Sequence, residues 1–286
     1  ERVITRFAAI FACIVAAAPV AAAPKTHTQT LYISVYKIYL RGILIARADV
    51  ELAATNRWYQ LSALLRPSGL GVLFSDAIGL VKTKGKLHGD NLEPVSLHYS
   101  WTGEDSINFA RLEYADGAPV SYETNYKPAR SQKAVVPISM ENVGAGTRDP
   151  FLSLLVRQGP EKGDAFCRAP LHLYDGRRLA RLNPENMDST PFMATPGHIA
   201  CRVRWEPIAG YPKKTYQRAE DMHPVNLEFA GIANSGFMAP REVSVSTRYG
   251  TVRIVAVEPF HESNMQVVPT KLELPPRIDD DEDEDW

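Results

Sequence analysis

The sequence predicts one mainly β domain of about a dozen short antiparallel strands, built as a sandwich or a barrel. Three observations carry that expectation. Apolar and polar residues alternate with period two in run after run, as on strands with one buried and one wet face. Asp-Gly pairs sit between two such runs at 116–117 and again at 175–176, the strongest short-range hairpin signal. No alternation of strands with helices points to a parallel sheet, and no repeat of fixed period occurs. The chain has 286 residues, 45% hydrophobic and 23% charged. That composition is ordinary for a globular protein, and the length suits one large all-β domain.

The first residues read as a targeting segment. Arg2 and Arg6 form a basic start, 7–18 is apolar, and Val20-Ala21-Ala22 offers a small-residue cleavage site. This is the pattern of a secretory signal peptide over 1–22, too short for a membrane span. Cys13 sits too early, behind too short an apolar run, for a lipidation signal. No other stretch reaches the ~18 consecutive apolar residues a span needs. The expectation is a periplasmic protein, not membrane-spanning, with a polar lead at 23–30 and one domain over 31–260. An extension over 261–286 ends it. Cys167 and Cys201 are the only cysteines beyond the leader, and an oxidising compartment expects them to pair.

The charge is unevenly distributed. Seven acids at 279–285 stand side by side before Trp286, and such a run repels itself and stays unfolded. Setting aside that tail and residues 1–22 leaves 30 basic against 25 acidic groups. The body is therefore net +5 within a chain of formal charge −1.

Each element follows from local pattern. In 31–52, Leu31, Ile33 and Val35 alternate, and Gly42 breaks the run. Beyond it Leu44, Ala46, Ala48, Val50 and Leu52 face one way while Arg47, Asp49 and Glu51 face the other. The run 58–66 alternates again, with Tyr59, Leu61, Ala63 and Leu65 together, and Pro67-Ser68-Gly69 ends it. One helical turn is expected at 70–75, a strand at 78–87 and a turn at 88–91. Val95, Leu97, Tyr99 and Trp101 define the next strand, and 107–114 with 120–126 flank Asp116-Gly117. Residues 127–148 read as irregular. Asp149 as N-cap, Pro150 at the first helical position, and the apolar set Phe151, Leu152, Leu154 and Leu155 predict a helix over 149–158. A hairpin over 167–183 and a strand over 199–206 follow. The stretch 212–224 is polar, irregular or weakly helical. Strands at 225–232, 242–249 and 251–257 close the domain, with Gly250 at the last turn.

An ordered set of these features resembles the exported bacterial family numbered 3108 among domains of unknown function. The features are LYISVYKIYLRGILIARADVEL, HGDNLEPVSLHYSW, the ADG hairpin, DPFLSLL, LYDGRR and PREVSVSTRYGTVRIVAV, spread over residues 31–258. The resemblance implies a lipoprotein-carrier-like fold. That is a single strongly curved antiparallel sheet forming an open half-barrel or β-spiral, with one short helix packed in or over its concave face. It implies an envelope protein and brings no catalytic residues.

The residues themselves offer no recognisable catalytic motif. The seven histidines, His27, His88, His98, His172, His198, His223 and His261, make neither HExxH nor a Cys/His metal spacing. Neither a nucleophile elbow nor a phosphate-binding loop occurs. Asp175 beside Arg177 and Arg178 reads as turn chemistry. Lys82, Lys84 and Lys86 alternate on one strand face, either protecting a sheet edge or, with Arg177, Lys213 and Lys214, meeting anionic lipid or glycan headgroups. No catalytic residue, metal or cofactor is assigned, and an exported protein does not take nucleic acid as its partner.

What remains is apolar area. Tyr59, Leu61, Leu97, Tyr99, Trp101, Phe151, Leu154, Leu155, Trp205 and Phe229 supply more than a short helix can cover. They are the candidate lining of a ligand cavity. The leading expectation is a non-catalytic cell-envelope protein whose concave face binds a lipid or lipoprotein acyl chain, another apolar ligand, or an envelope protein partner. A purely structural scaffold and an envelope-polymer hydrolase stand as alternatives.

Overall fold

The computed structural model describes residues 29–89, 91–103, 107–126, 133–139, 143–144, 146–158, 167–185 and 198–263. The expected leader over 1–22 and the acidic tail lie outside them. The described chain forms one antiparallel sheet of fourteen strands that does not close.

Seven strands form the first limb: β1 (Thr30–Leu40), β2 (Ile43–Ala54), β3 (Trp58–Pro67), β4 (Ile78–His88), β5 (Asn91–Thr102), β6 (Ile107–Ala115) and β7 (Ala118–Thr124). A short β8 (Val156–Arg157) follows. The second limb is β9 (Leu171–Tyr174), β10 (Leu179–Pro184), β11 (His198–Ala209), β12 (Val225–Ile232), β13 (Phe237–Thr247) and β14 (Gly250–Ser263). Each limb is a meander of neighbours in sequence. They join where β1 pairs with β14, from Leu31↔Ser263 to Leu40↔Val252. The edges are β7 and β9.

The connection between the limbs bridges those edges. Gly146 donates its backbone N–H to the Gly117 carbonyl beside β7. Arg148 donates to His172 and accepts from Tyr174, both on β9. Tyr99 and Tyr114 donate their hydroxyls to the Asp175 and Tyr174 carbonyls. The sheet is thus curled until its ends meet through side chains and one strap.

Turn chemistry sets the hairpins. Arg41 and Gly42, and again Asp116 and Gly117, have positive φ at both central positions, which matches the right-handed twist of the flanking strands. Gly85 on β4 serves a close approach instead. A Cβ there would lie 1.7 Å from the hydroxyl of Tyr59, whose ring crosses the strand to reach the Glu93 carbonyl.

Two expectations need correction. The helix over 149–158 is a single 3-10 turn, Leu152–Leu154, and Leu155 is already extended. Asp149 does cap it, but Val156 and Arg157 are taken by the free end of β13, pairing with Met238 and Phe237. Sheet pairing outweighs helix propensity there, because a short helix gains little from propensity alone. The α-helix of the described chain is α1, Lys213–Glu220, in the stretch read as irregular or weakly helical. Tyr216 anchors it by donating to the Ile208 carbonyl. The lysines of β4 do not guard an edge, since β4 is paired on both sides, with β3 and β5.

The core fills the concave side. Leu152 and Leu155 pack among Tyr32, Leu52, Tyr59, Ile232 and Phe237. A second cluster holds Leu97, Leu112, Tyr174 and Leu179, and a third holds Cys201, Val203, Leu227 and Phe229.

Candidate functional site: an apolar cavity under the curved sheet

Register determines what faces inward. Three cross-strand rows run from β1 to β5. The first is Tyr32–Leu52–Leu61–Thr83–Leu97, the second Ser34–Val50–Ala63–Val81–Tyr99, and the third Tyr36–Ala48–Leu65–Gly79–Trp101. Large side chains of the 149–155 strap cover the first row. The second has Ala63 at its middle, and the third has Ala48 and Gly79 on either side of Leu65, so the sheet floor sinks where a strand would normally present bulk. A cavity of about 420 Å³ lies over this trough.

Its opposite wall comes from elsewhere in the chain. Phe151, Leu154 and Leu155 form one side; Ala239, Pro240, Val243, Ile254 and Phe260 form the other. The second side exists because β13 and β14 part. They pair over Glu242–Thr247 with Gly250–Val255; beyond that, β13 turns to β8 while β14 stays with β1. Tyr36 ties the fork by donating its hydroxyl to the Pro240 carbonyl at 2.7 Å. Burial holds that phenol neutral by raising its pKa.

Of the residues singled out from sequence, Leu61, Tyr99, Trp101, Phe151, Leu154 and Leu155 line this cavity. Four do not. Tyr59, Leu97 and Phe229 are core side chains, buried in three different clusters. Trp205 packs edge-to-face on Tyr211 in the other limb, with ring centroids 5.3 Å apart. Sequence reasoning passed over Ala48, Ala63 and Gly79, although small residues at inward positions are the signal of a hollow. It also passed over Phe260 and the β13–β14 wall, which only the β1–β14 pairing brings near.

A second cleft, about 550 Å³, adjoins the first and shares Tyr99, Trp101 and Phe151 with it. Its far wall is the β9–β10 turn. Asp175 Oδ1 accepts the backbone N–H groups of Arg177 and Arg178 at 2.8 and 2.7 Å. Burial pushes this carboxyl up, against the pull of those two N–H groups and the nearby guanidinium charges. Gly176, at φ +90°, makes the turn, and a Cβ on it would sit 2.3 Å from the Tyr122 ring. The guanidinium of Arg177 lies 3.6 Å over the Tyr126 ring, and that of Arg178 lies 5.5 Å over Tyr211.

The two lower rows lie toward the β1–β2 turn and the β3–β4 loop. At that end Ile43, Leu70, Val72, Leu73, Phe74 and Ile78 are exposed, Phe74 by 83%. Among the described residues, no cluster of three or more His, Cys, Asp or Glu could hold a metal. Among them, too, no helix is long and apolar enough to cross a membrane.

Asp149, fully buried at the start of the strap, is committed to structure. Oδ1 accepts from the backbone N–H groups of Phe151 and Leu152, and Oδ2 accepts from Thr83. Desolvation raises its pKa to about 6 despite those three donors. Cys167 and Cys201 stand at disulfide distance, their Cα atoms 5.5 Å apart. The bridge ties the start of the second limb to β11. No family model matches the chain, and neither a curated protein nor a solved structure matches it.

Proposed function

We propose that this is an exported cell-envelope protein that binds an apolar ligand, a lipid or acyl chain, without transforming it. The observation that carries this reading is the cavity of about 420 Å³, walled almost wholly by hydrocarbon. Its volume falls in the about 300–1,000 Å³ range of ligand pockets. A protein optimising only its core would fill such a hollow, since each void costs stability. Here the hollow follows from three small inward residues in adjacent strands, Ala48, Ala63 and Gly79. Kinship with lipoprotein-carrier-like half-barrels belongs to this proposal, supported by the open, curled sheet. So does periplasmic location, supported by the basic-apolar start of the chain and the paired cysteines.

The test is uptake of an environment-sensitive apolar probe, N-phenyl-1-naphthylamine, by the purified protein. Wild type takes it up saturably. Ala63→Phe, which places a ring in the hollow, abolishes uptake while leaving the melting temperature unchanged or raised. A wild type that takes up neither the probe nor lipid extracted from its own envelope would leave the scaffold reading in its place.

A further inference from the structure

The cleft beside the cavity gives the ligand a second chemical feature. We propose that it receives the anionic headgroup of a single-chain amphiphile whose tail occupies the apolar cavity. Arg177 and Arg178 would be the head-binding groups. The inference rests on the apolar-ligand reading and deepens it.

Four observations converge. The cleft and the cavity adjoin, with Tyr99, Trp101 and Phe151 lining both. One compartment is nearly all hydrocarbon and the other carries two guanidinium groups, so together they have the polarity of an amphiphile. Neither guanidinium has a carboxylate within ion-pair distance among the described residues; their side chains rest on aromatic faces instead. The one acid of the cleft, Asp175, spends Oδ1 on the turn itself. The charge left to a ligand is therefore positive.

Geometry narrows the head further. A guanidinium offers paired N–H donors that match the two oxygens of a carboxylate or a phosphate. Both arginines stem from one rigid turn. That turn is pinned by the Asp175 side chain and by the Tyr99 hydroxyl, which donates to the Asp175 carbonyl at 3.1 Å. Tyr99 stacks on Trp101 at 5.7 Å, and Trp101 meets Tyr126 at 5.9 Å. These rings form an apolar sill between the two compartments. A cationic head is disfavoured, because Arg177 already covers the Tyr126 face that would hold it. The cavity volume, near the lower end of the pocket range, suits one chain better than two.

Displacement of N-phenyl-1-naphthylamine tests this, with competitors of equal chain length below their micelle concentrations. Dodecanoate and dodecyl phosphate should displace the probe at about tenfold lower concentration than the uncharged dodecanoyl glycerol. Dodecyl trimethylammonium should compete no better than the neutral compound. Inorganic phosphate alone should leave the probe in place; if it displaces the probe, the tail is not in the cavity and the proposal falls. In Arg177→Gln/Arg178→Gln the anionic advantage should vanish while neutral displacement is unchanged. In Arg177→Lys/Arg178→Lys, which keeps the charge, much of the advantage should return and should shrink in high salt. Equal displacement by anionic and neutral chains in wild type, or an advantage that survives the double Gln change, overturns the headgroup assignment alone. Failure of wild type to take up the probe overturns the cavity reading and this assignment with it.

Discussion

Thr83 donates its hydroxyl to Asp149 Oδ2 at 2.9 Å, and neither side chain is exposed to solvent. The bond joins the middle of β4 to the strap that plugs the concave face, across 66 positions of sequence. It decides where the 3-10 turn sits, because the same carboxylate holds the Phe151 and Leu152 N–H groups. Phe151, Leu154 and Leu155 then face the cavity as a consequence of one buried acid.

That acid makes stability depend on pH. Its folded pKa of about 6 lies above the 3.8 of a free carboxyl. The folded state therefore binds the proton more tightly than the unfolded state. The contribution is fully present below about pH 3.8, is lost as pH rises toward about 6, and is flat above that. The span amounts to roughly 3 kcal/mol, from 1.36 kcal/mol per pKa unit. Asp149→Asn keeps an oxygen for the cap and can donate to Thr83. Urea unfolding from pH 4 to 7 should lose this component in the variant. An unchanged slope would show that Asp149 does not titrate in the window.

Thr83→Val should remove one donor and leave Oδ2 buried without it. The expected loss is about 1–3 kcal/mol at pH 7 by chemical denaturation, and less at pH 4, where the acid is protonated.

Leu154→Ala should separate plug from core. Leu154 lines the cavity, whereas Leu152 is fully buried in the core. Leu152→Ala should cost about 2–5 kcal/mol. Leu154→Ala should cost less and enlarge the cavity, so uptake of a fluorescent fatty acid stays equal or strengthens. Loss of uptake in Leu154→Ala at intact stability would mean that the strap holds the ligand and does not plug the site.

Gly176→Ala should be damaging on two grounds. Its φ of +90° costs a non-glycine residue about 1–3 kcal/mol, and its Cβ would collide with Tyr122. Because the turn carries Arg177 and Arg178, the melting temperature and any preference for anionic ligands should fall together.

The paired cysteines close a loop of 34 positions. Thiol labelling of the unreduced, denatured protein should find no free thiol among Cys167 and Cys201. Cys201→Ser should lower stability by about 2–4 kcal/mol. A labelled pair would remove one support for export.

Much of the fold was legible in the residues because strands and tight turns are local events. Period-two alternation marks β2 and β3, and Asp-Gly or Arg-Gly at the turns sets φ without help from distant chain. The β12 range was read to the residue. What tertiary structure decided is non-local. The pairing of β1 with β14 joins the two ends of the domain, and no local pattern encodes which edge meets which. The Asp149 cap was readable, but the helix it announced was cut short because β13 offered Val156 and Arg157 a sheet edge. The cavity shows the same division. Large inward residues such as Tyr99 and Trp101 are visible as a pattern, but a cavity is an absence of side chains. Ala48, Ala63 and Gly79 become one hollow only when register brings them into two adjacent rows of β2, β3 and β4, around Leu65. Tyr59, Leu97 and Phe229 look the same in sequence as the true lining. Burial against partners far along the chain, which alternation does not carry, makes them core.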